Sequence, residues 1–162
     1  MNNNVITINE NIRKLLPITY NILTEANLTV HPSVYKVILS GSRGIANCFR
    51  QNSDIDLSLL VDMQTIDGKA AREDIFKEVL DVTTSNWRSE IELDTVAVFD
   101  TCNCRLQCFN YETYTNEICK TGGVDCLGLY KTNKGFSGFV PKIGIEIRLI
   151  HPTITVWERS VP

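Results

Sequence analysis

Two apolar runs, residues 34–39 and 54–61, are joined through Ser40-Gly41-Ser42-Arg43-Gly44, and the second run opens as Asp54-Ile55-Asp56-Leu57. Few folds accommodate that combination. Glycine at the end of a strand favours a sharp change of direction. A strand opening on aspartates two positions apart must keep one face polar while the other is buried. Ile55, Leu57 and Leu59 then face a core, and Asp54 and Asp56 share the opposite face, about 6–7 Å apart. Residues 91–99 repeat the pattern, with Glu92 and Asp94 on one face and Leu93 and Thr95 on the other.

The rest of the chain supplies helices for such strands. Ile12, Leu15, Leu16, Tyr20 and Leu23 recur at helical spacing within residues 9–27, with Pro17 placed to kink or restart the helix. Residues 42–48 read as a short helix and residues 63–68 as a connection. Residues 69–84 carry Ala71, Ile75, Val79 and Leu80 on one helical face. The order helix, strand, helix, strand, helix, strand predicts an α/β (α+β) core over about residues 9–100, a mixed sheet flanked by helices. Beyond it the texture changes. Residues 104–119 have aromatics but weak periodicity, Thr121-Gly122-Gly123 reads as a turn and residues 124–130 as a strand. Residues 133–141 read as a loop, and residues 144–150 and 153–157 as strands about a His151-Pro152 turn. With no repeat or low-complexity linker, residues 101–162 read as a β-rich extension of one domain spanning 1–162.

Gly41-Ser42 at a strand end would let backbone N–H groups approach a phosphate, with the serine hydroxyl as a further donor and a following helix aiming its free N–H groups at the anion. Asp54 and Asp56, repelling one another on one face, suit a hard dication with oxygen ligands. If the 91–99 strand pairs beside them, Asp94 completes a three-carboxylate cluster fit for two Mg²⁺ ions about 3.5–4 Å apart. Glu92 is the rival for that place. Asp94 is preferred, because its shorter side chain holds a metal more rigidly.

Together, Gly41-Ser42-Arg43, then Asp54-Ile55-Asp56-Leu57, then Leu93-Asp94-Thr95-Val96 resemble the DNA polymerase β-like nucleotidyltransferase superfamily, and within it the minimal nucleotidyltransferases. The resemblance covers residues 34–99. It implies a polymerase β palm-like fold and transfer of a nucleoside monophosphate from an NTP, ATP above others, to an acceptor hydroxyl with release of pyrophosphate. By the same resemblance Gly41 and Ser42 grip the β- and γ-phosphates, with Arg43 a phosphate contact or a structural ion-pair partner. Asp54 and Asp56 hold both Mg²⁺ (or Mn²⁺) ions, and Asp94 binds the catalytic one and helps deprotonate the acceptor. Gly44-Ile45-Ala46-Asn47 departs from the pattern in lacking a second basic residue.

The whole chain sets outer limits. At 162 residues and 43% hydrophobic, it can bury an adequate core. A net charge of −3 disfavours nonspecific nucleic-acid binding, which needs clustered cations. No apolar run of about 18 residues and no basic-then-apolar leader is present, so a cytoplasmic protein without a membrane partner is expected. The six cysteines (48, 102, 104, 108, 119 and 126) are then expected as reduced thiols rather than disulfides. Cys102-x-Cys104-x3-Cys108, completed by Cys119 or Cys126, could form a zinc site, against which stands the absence of paired-knuckle spacing. Lys131, Lys134, Lys142 and Arg148 are candidates for steering phosphates or acceptor. His31 and His151, each before a proline, read as turn residues, and Trp87 and Trp157 as packing. The acceptor is left open between a protein, a small molecule and an RNA end. Two other readings compete: a catalytically silent, antitoxin-like partner-binding module, and an NTP sensor. An exposed sheet edge in the tail could pair two copies as a homodimer.

Overall fold

The computed structural model of the protein describes residues 5–66, 73–100, 127–132, 138–140 and 153–159. Two short helices come first, α1 (Glu10–Leu15) and α2 (Pro17–Glu25). Asn9 caps α1 by accepting from the Asn11 N–H at 3.1 Å, and Glu10 at its start and Arg13 and Lys14 at its end complement the helix dipole. Pro17 forces the break: Leu16 before it is extended (φ −139°, ψ 67°), and proline opens α2 where its missing N–H costs nothing. The restart changes the phase of the apolar stripe. Ile12, Leu16 and Leu23 are buried, whereas Leu15 is 60% exposed.

Among the described residues a six-stranded mixed sheet forms the centre. Its strands are β1 (Val34–Ser40), β2 (Ile55–Val61), β3 (Leu93–Asp100), β4 (Leu127–Lys131), β5 (Gly138–Val140) and β6 (Ile154–Glu158), in the spatial order β5-β4-β3-β2-β1-β6. Only β2 and β3 are parallel. A parallel pair needs a crossover, and α3 (Glu73–Asn86) lies on that connection. It buries Phe76, Val79, Leu80 and Thr83, one stripe at helical spacing, and the Thr83 hydroxyl donates to the Thr29 carbonyl at 2.8 Å. Strands of the carboxy-terminal extension lie at both edges of the sheet, β4 and β5 beyond β3 and β6 beyond β1.

The sheet has two unlike faces. Val37, Leu39, Ile55, Leu57, Leu59, Ala97, Phe99 and Tyr130 pack with Ile12, Leu23, Phe76 and Val79 of the helices in one continuous core. On the other face Tyr35, Ile38, Leu60, Val98 and Leu129 form a smaller apolar cluster. Across β4, Tyr130 joins the first face and Leu129 the second. The tyrosine hydroxyl donates to Glu73 at 3.2 Å and its ring lies 5.9 Å from that of Phe76. Gly128 admits the Phe99 ring into the space its own Cβ would take.

Several expectations change. Residues 42–48 are not helical but a run of turns, closed by Gly44 N–H on Gly41 O (3.0 Å) and Asn47 N–H on Gly44 O (2.8 Å), with Asn47 at φ 48°. The left-handed residue and the pull of Arg43 toward the next segment stop a helix from propagating. Within the expected loop 133–141, Gly138–Val140 pairs with β4 as β5. The Cys102 to Cys126 cysteines, residues 104–119, the Thr121 turn, the 144–150 strand and His151-Pro152 lie outside the described residues. Among the described residues no helix is long and apolar enough to cross a membrane.

Candidate metal centre

Strand register assembles the site. In the β1–β2 ladder Ser40 stands opposite Asp56, and in the β2–β3 ladder Asp56 stands opposite Asp94. Side chains in register on adjacent strands share a face, so Ser40, Asp56 and Asp94 form one row across three strands. Asp54, just before β2, adds a third carboxylate. One oxygen from each of Asp54, Asp56 and Asp94 lies within 4.8 Å of the others, and all three residues are partly buried. A six-coordinate cation with bonds of about 2.1 Å holds opposite ligands about 4.2 Å apart. These three hard oxygen donors therefore fit a divalent cation after small side-chain rotations. Glu92 is not in the cluster: it is exposed, and its backbone carbonyl accepts from Ile55 N–H at 2.9 Å.

Gly41 seats one of these carboxylates. Its φ of 77° is left-handed, and a Cβ there would fall 2.0 Å from Asp56 Oδ2. The absent side chain is thus space that the Asp56 carboxylate occupies, a closer use of this glycine than the phosphate approach read from sequence. Ser42 is half-buried in the turn that follows, and its carbonyl accepts from Cys48 N–H at 2.9 Å.

Arg43 is almost fully buried, and its guanidinium is engaged by backbone carbonyls. Its Nε donates to Ser53 O at 2.7 Å, and its Nη2 to Arg50 O and Gln51 O at 3.2 and 3.1 Å. The guanidinium lies 4.6 Å from the centre of the Phe49 ring, and the Arg43 carbonyl accepts from the Thr19 hydroxyl at 2.9 Å. The arginine is therefore a brace. It ties α2 to the loop that delivers Asp54.

Lys131 completes the site from the far side. One step beyond the Ala97–Tyr130 pair of the antiparallel ladder, it reaches diagonally to Asp94, placing Nζ 2.7 Å from Oδ1. Sequence reading named it among four cations; what singles it out is strand alternation, which puts it on the face of Leu129 and opposite Tyr130. The other three, Lys134, Lys142 and Arg148, lie outside the described residues. Ser40, Gly41, Asp56, Asp94, Lys131 and Thr153, with Leu57, Ser58, Thr95, Val96 and Leu129, line a cavity of about 290 Å³. Ser58, on β2, and Thr153, just before β6, carried no sequence signal, because isolated hydroxyls on and beside strands are common.

The charges are frustrated. Burial, then the neighbouring Asp94 carboxylate and a hydrogen bond with it, then Asp54, push Asp56 up to about 6, with Lys131 acting in the opposite direction. Such a group favours whatever neutralises it, a proton or a metal ion.

Elsewhere the expected bystanders are engaged in structure. His31 Nδ1 lies 2.8 Å from the Ser33 hydroxyl and accepts from Ser33 N–H, and Trp87 donates to the Ile91 carbonyl at 2.8 Å. Cys48 is an exposed free thiol.

No protein-family model, curated protein or solved structure matches this chain.

Proposed function

We propose that this protein is a metal-dependent nucleotidyltransferase with a polymerase β palm-like core, moving a nucleoside monophosphate from an NTP to an acceptor hydroxyl. The observation that carries the reading is the row Ser40–Asp56–Asp94 on the cavity wall beside the Gly41 turn, with Asp54 clustered against its two carboxylates. A protein that only bound a partner would gain nothing from three carboxylates that raise one another's energy. A catalyst that must gather cations around a polyphosphate would.

Asp54, Asp56 and Asp94 would hold Mg²⁺ or Mn²⁺, which when bound supplies charge neutralisation for the triphosphate and the attacking oxygen. The chain's own contribution is positioning. Gly41 and Ser42 would face the β- and γ-phosphates, Arg43 holds the loop that presents Asp54, and Asp94 would help deprotonate the acceptor. The acceptor oxygen forms its bond to the α-phosphorus as the bond to pyrophosphate breaks, so one pyrophosphate leaves for each nucleotide transferred. The acceptor can be a protein, a small molecule or an RNA end, and ATP is the first donor to test.

The experiment is label transfer from each α-labelled NTP, with Mg²⁺ or Mn²⁺, into a cell lysate, beside the Asp54→Asn/Asp56→Asn variant. Label on a lysate component, matched by pyrophosphate and lost in the variant, is the expected result. Tight NTP binding without transfer would replace this reading with a sensor. Neither binding nor transfer would leave a silent partner-binding module.

A further inference from the structure

Lys131 presents an ammonium to the same carboxylate that the metal would need. Its Nζ is 2.7 Å from Asp94 Oδ1, the side chains of the pair are only 12% and 19% exposed, and both residues line the cavity. The strand beneath it is anchored. Tyr130, next in sequence, is 1% exposed on the opposite face and bonded to Glu73. Relief of the pair therefore comes from rotation of the four-carbon lysine stem, not from movement of β4.

Resting on the metal-centre reading above, we propose that Lys131 is a tethered counter-ion that competes with the divalent cation for Asp94, and that the nucleotide's phosphates draw it away. The reasoning is Coulombic. A dication and an ammonium on one carboxylate oxygen would sit about 4 Å apart in a partly desolvated site, where like charges repel strongly. Metal entry is then favourable only if the lysine finds another anion. A polyphosphate provides one within reach, since lysine binds phosphate as a mobile point charge. The consequence is regulation. The carboxylates bind metal weakly by itself and tightly with nucleotide, so the cavity assembles its charge only when the donor substrate arrives. Because coupling between ligands is reciprocal, the metal favours nucleotide by the same factor.

The test is Mn²⁺ binding to the protein, read as the fall in free Mn²⁺ by electron paramagnetic resonance beyond that of protein-free controls, with and without a non-hydrolysable ATP analogue. Wild type is compared with Lys131→Met, which keeps an unbranched apolar stem and removes the charge, and with Lys131→Arg, which keeps the charge. Lys131→Met is expected to bind Mn²⁺ alone about tenfold or more tighter than wild type. Its coupling to the analogue should shrink by a similar factor, the remainder reflecting direct contact of metal with phosphate. Lys131→Arg should stay near wild type. Circular dichroism melting checks that each variant is folded, and Lys131→Gln replaces the Met variant if that one is not. Equal Mn²⁺ affinity in wild type and the neutral variant, with binding lost in Asp54→Asn/Asp56→Asn, would overturn the counter-ion role and leave the metal centre standing. No Mn²⁺ binding to any of these proteins, with or without analogue, would overturn both.

Discussion

The two faces of the sheet are built on opposite principles. Toward the helices, β1, β2 and β3 present Val37, Leu39, Ile55, Leu57, Leu59, Ala97 and Phe99, each buried against apolar neighbours. Toward the cavity the same strands present Ser40, Asp56, Ser58 and Asp94 beside a small apolar cluster. One face gains free energy from burial, at about 25 cal/mol for each Å² of apolar surface removed from water. The other holds like charges together and loses some of it. A strand that serves both faces through its period of two can carry a destabilising site, because its opposite side is secured by the core.

That contrast breaks most visibly at Phe76. Its ring is fully buried, stacks on Phe99 at 5.4 Å and lies tilted 5.9 Å from Tyr130. Phe76→Ala is expected to cost about 3–5 kcal/mol in urea denaturation. Asp56→Asn, one residue from the core residues Ile55 and Leu57, should do the reverse in metal-free protein at pH 7 and raise the midpoint. It should also abolish Mn²⁺ binding. If Asp56→Asn destabilises the protein as a core truncation does, the contrast between faces is wrong.

Arg43 links the two faces, since its bonds to the carbonyls of Ser53, Arg50 and Gln51 organise the loop that leads into Asp54. Arg43→Ala leaves those carbonyls unpaired and is expected to cost about 2–3 kcal/mol. Mn²⁺ affinity should fall with it. Arg43→Lys should not restore either property, because an ammonium lacks the planar fork that reaches three acceptors. Wild-type metal affinity in a destabilised Arg43→Ala would show that the brace serves the fold alone.

Gly41→Ala is a smaller and more local perturbation. It adds strain at φ 77° and drives a methyl group into the Asp56 carboxylate. About 1–2 kcal/mol of stability should be lost. The sharper readout is Mn²⁺ affinity, which should drop more than in a Gly138→Ala control, where a Cβ meets nothing within 4 Å although φ is also positive.

Much of the first face was readable from sequence, because buried strands advertise themselves as apolar runs and α3 as a stripe. The row of carboxylates was readable for the same reason: a period of two puts Asp54 with Asp56, and Glu92 or Asp94 beside them. What decided between those last two is register, with Asp94 opposite Asp56, and register is a long-range property. The same limit left the site's cation as one of four candidates. Lys131 meets Asp94 through the β3–β4 pairing, which no local pattern announces. Residues 42–48 misled because Ile45, Ala46 and Arg43 are adequate helix formers, while the bonds that hold the turns open come from residues 50–53. Gly138-Phe139-Val140 was hidden in a glycine-rich stretch, where pairing with β4 outweighs weak strand propensity.

The finest probe of the two faces is pH. Asp56 stands at about 6 in the folded protein against 3.8 for an unperturbed carboxyl. Between those values the native state holds a proton that the unfolded chain has released, so its stability falls as pH rises. The contribution is fully present below about pH 4 and is lost as pH rises through about 6. Because the carboxyl is only half-buried, solvent screening limits the effect to about 1 kcal/mol. Paired carboxylates elsewhere act in the opposite direction, so the measurement is a difference: unfolding midpoints of wild type and Asp56→Asn at pH 4.5 and 7.5. The variant's advantage should be present at pH 7.5 and shrink at pH 4.5. Saturating Mn²⁺ should invert the wild-type trend, because the metal competes with the proton and binds more tightly as pH rises through 6. A pH-independent difference between the two proteins would mean that Asp56 is not strained by its neighbours, and that the polar face costs the fold nothing.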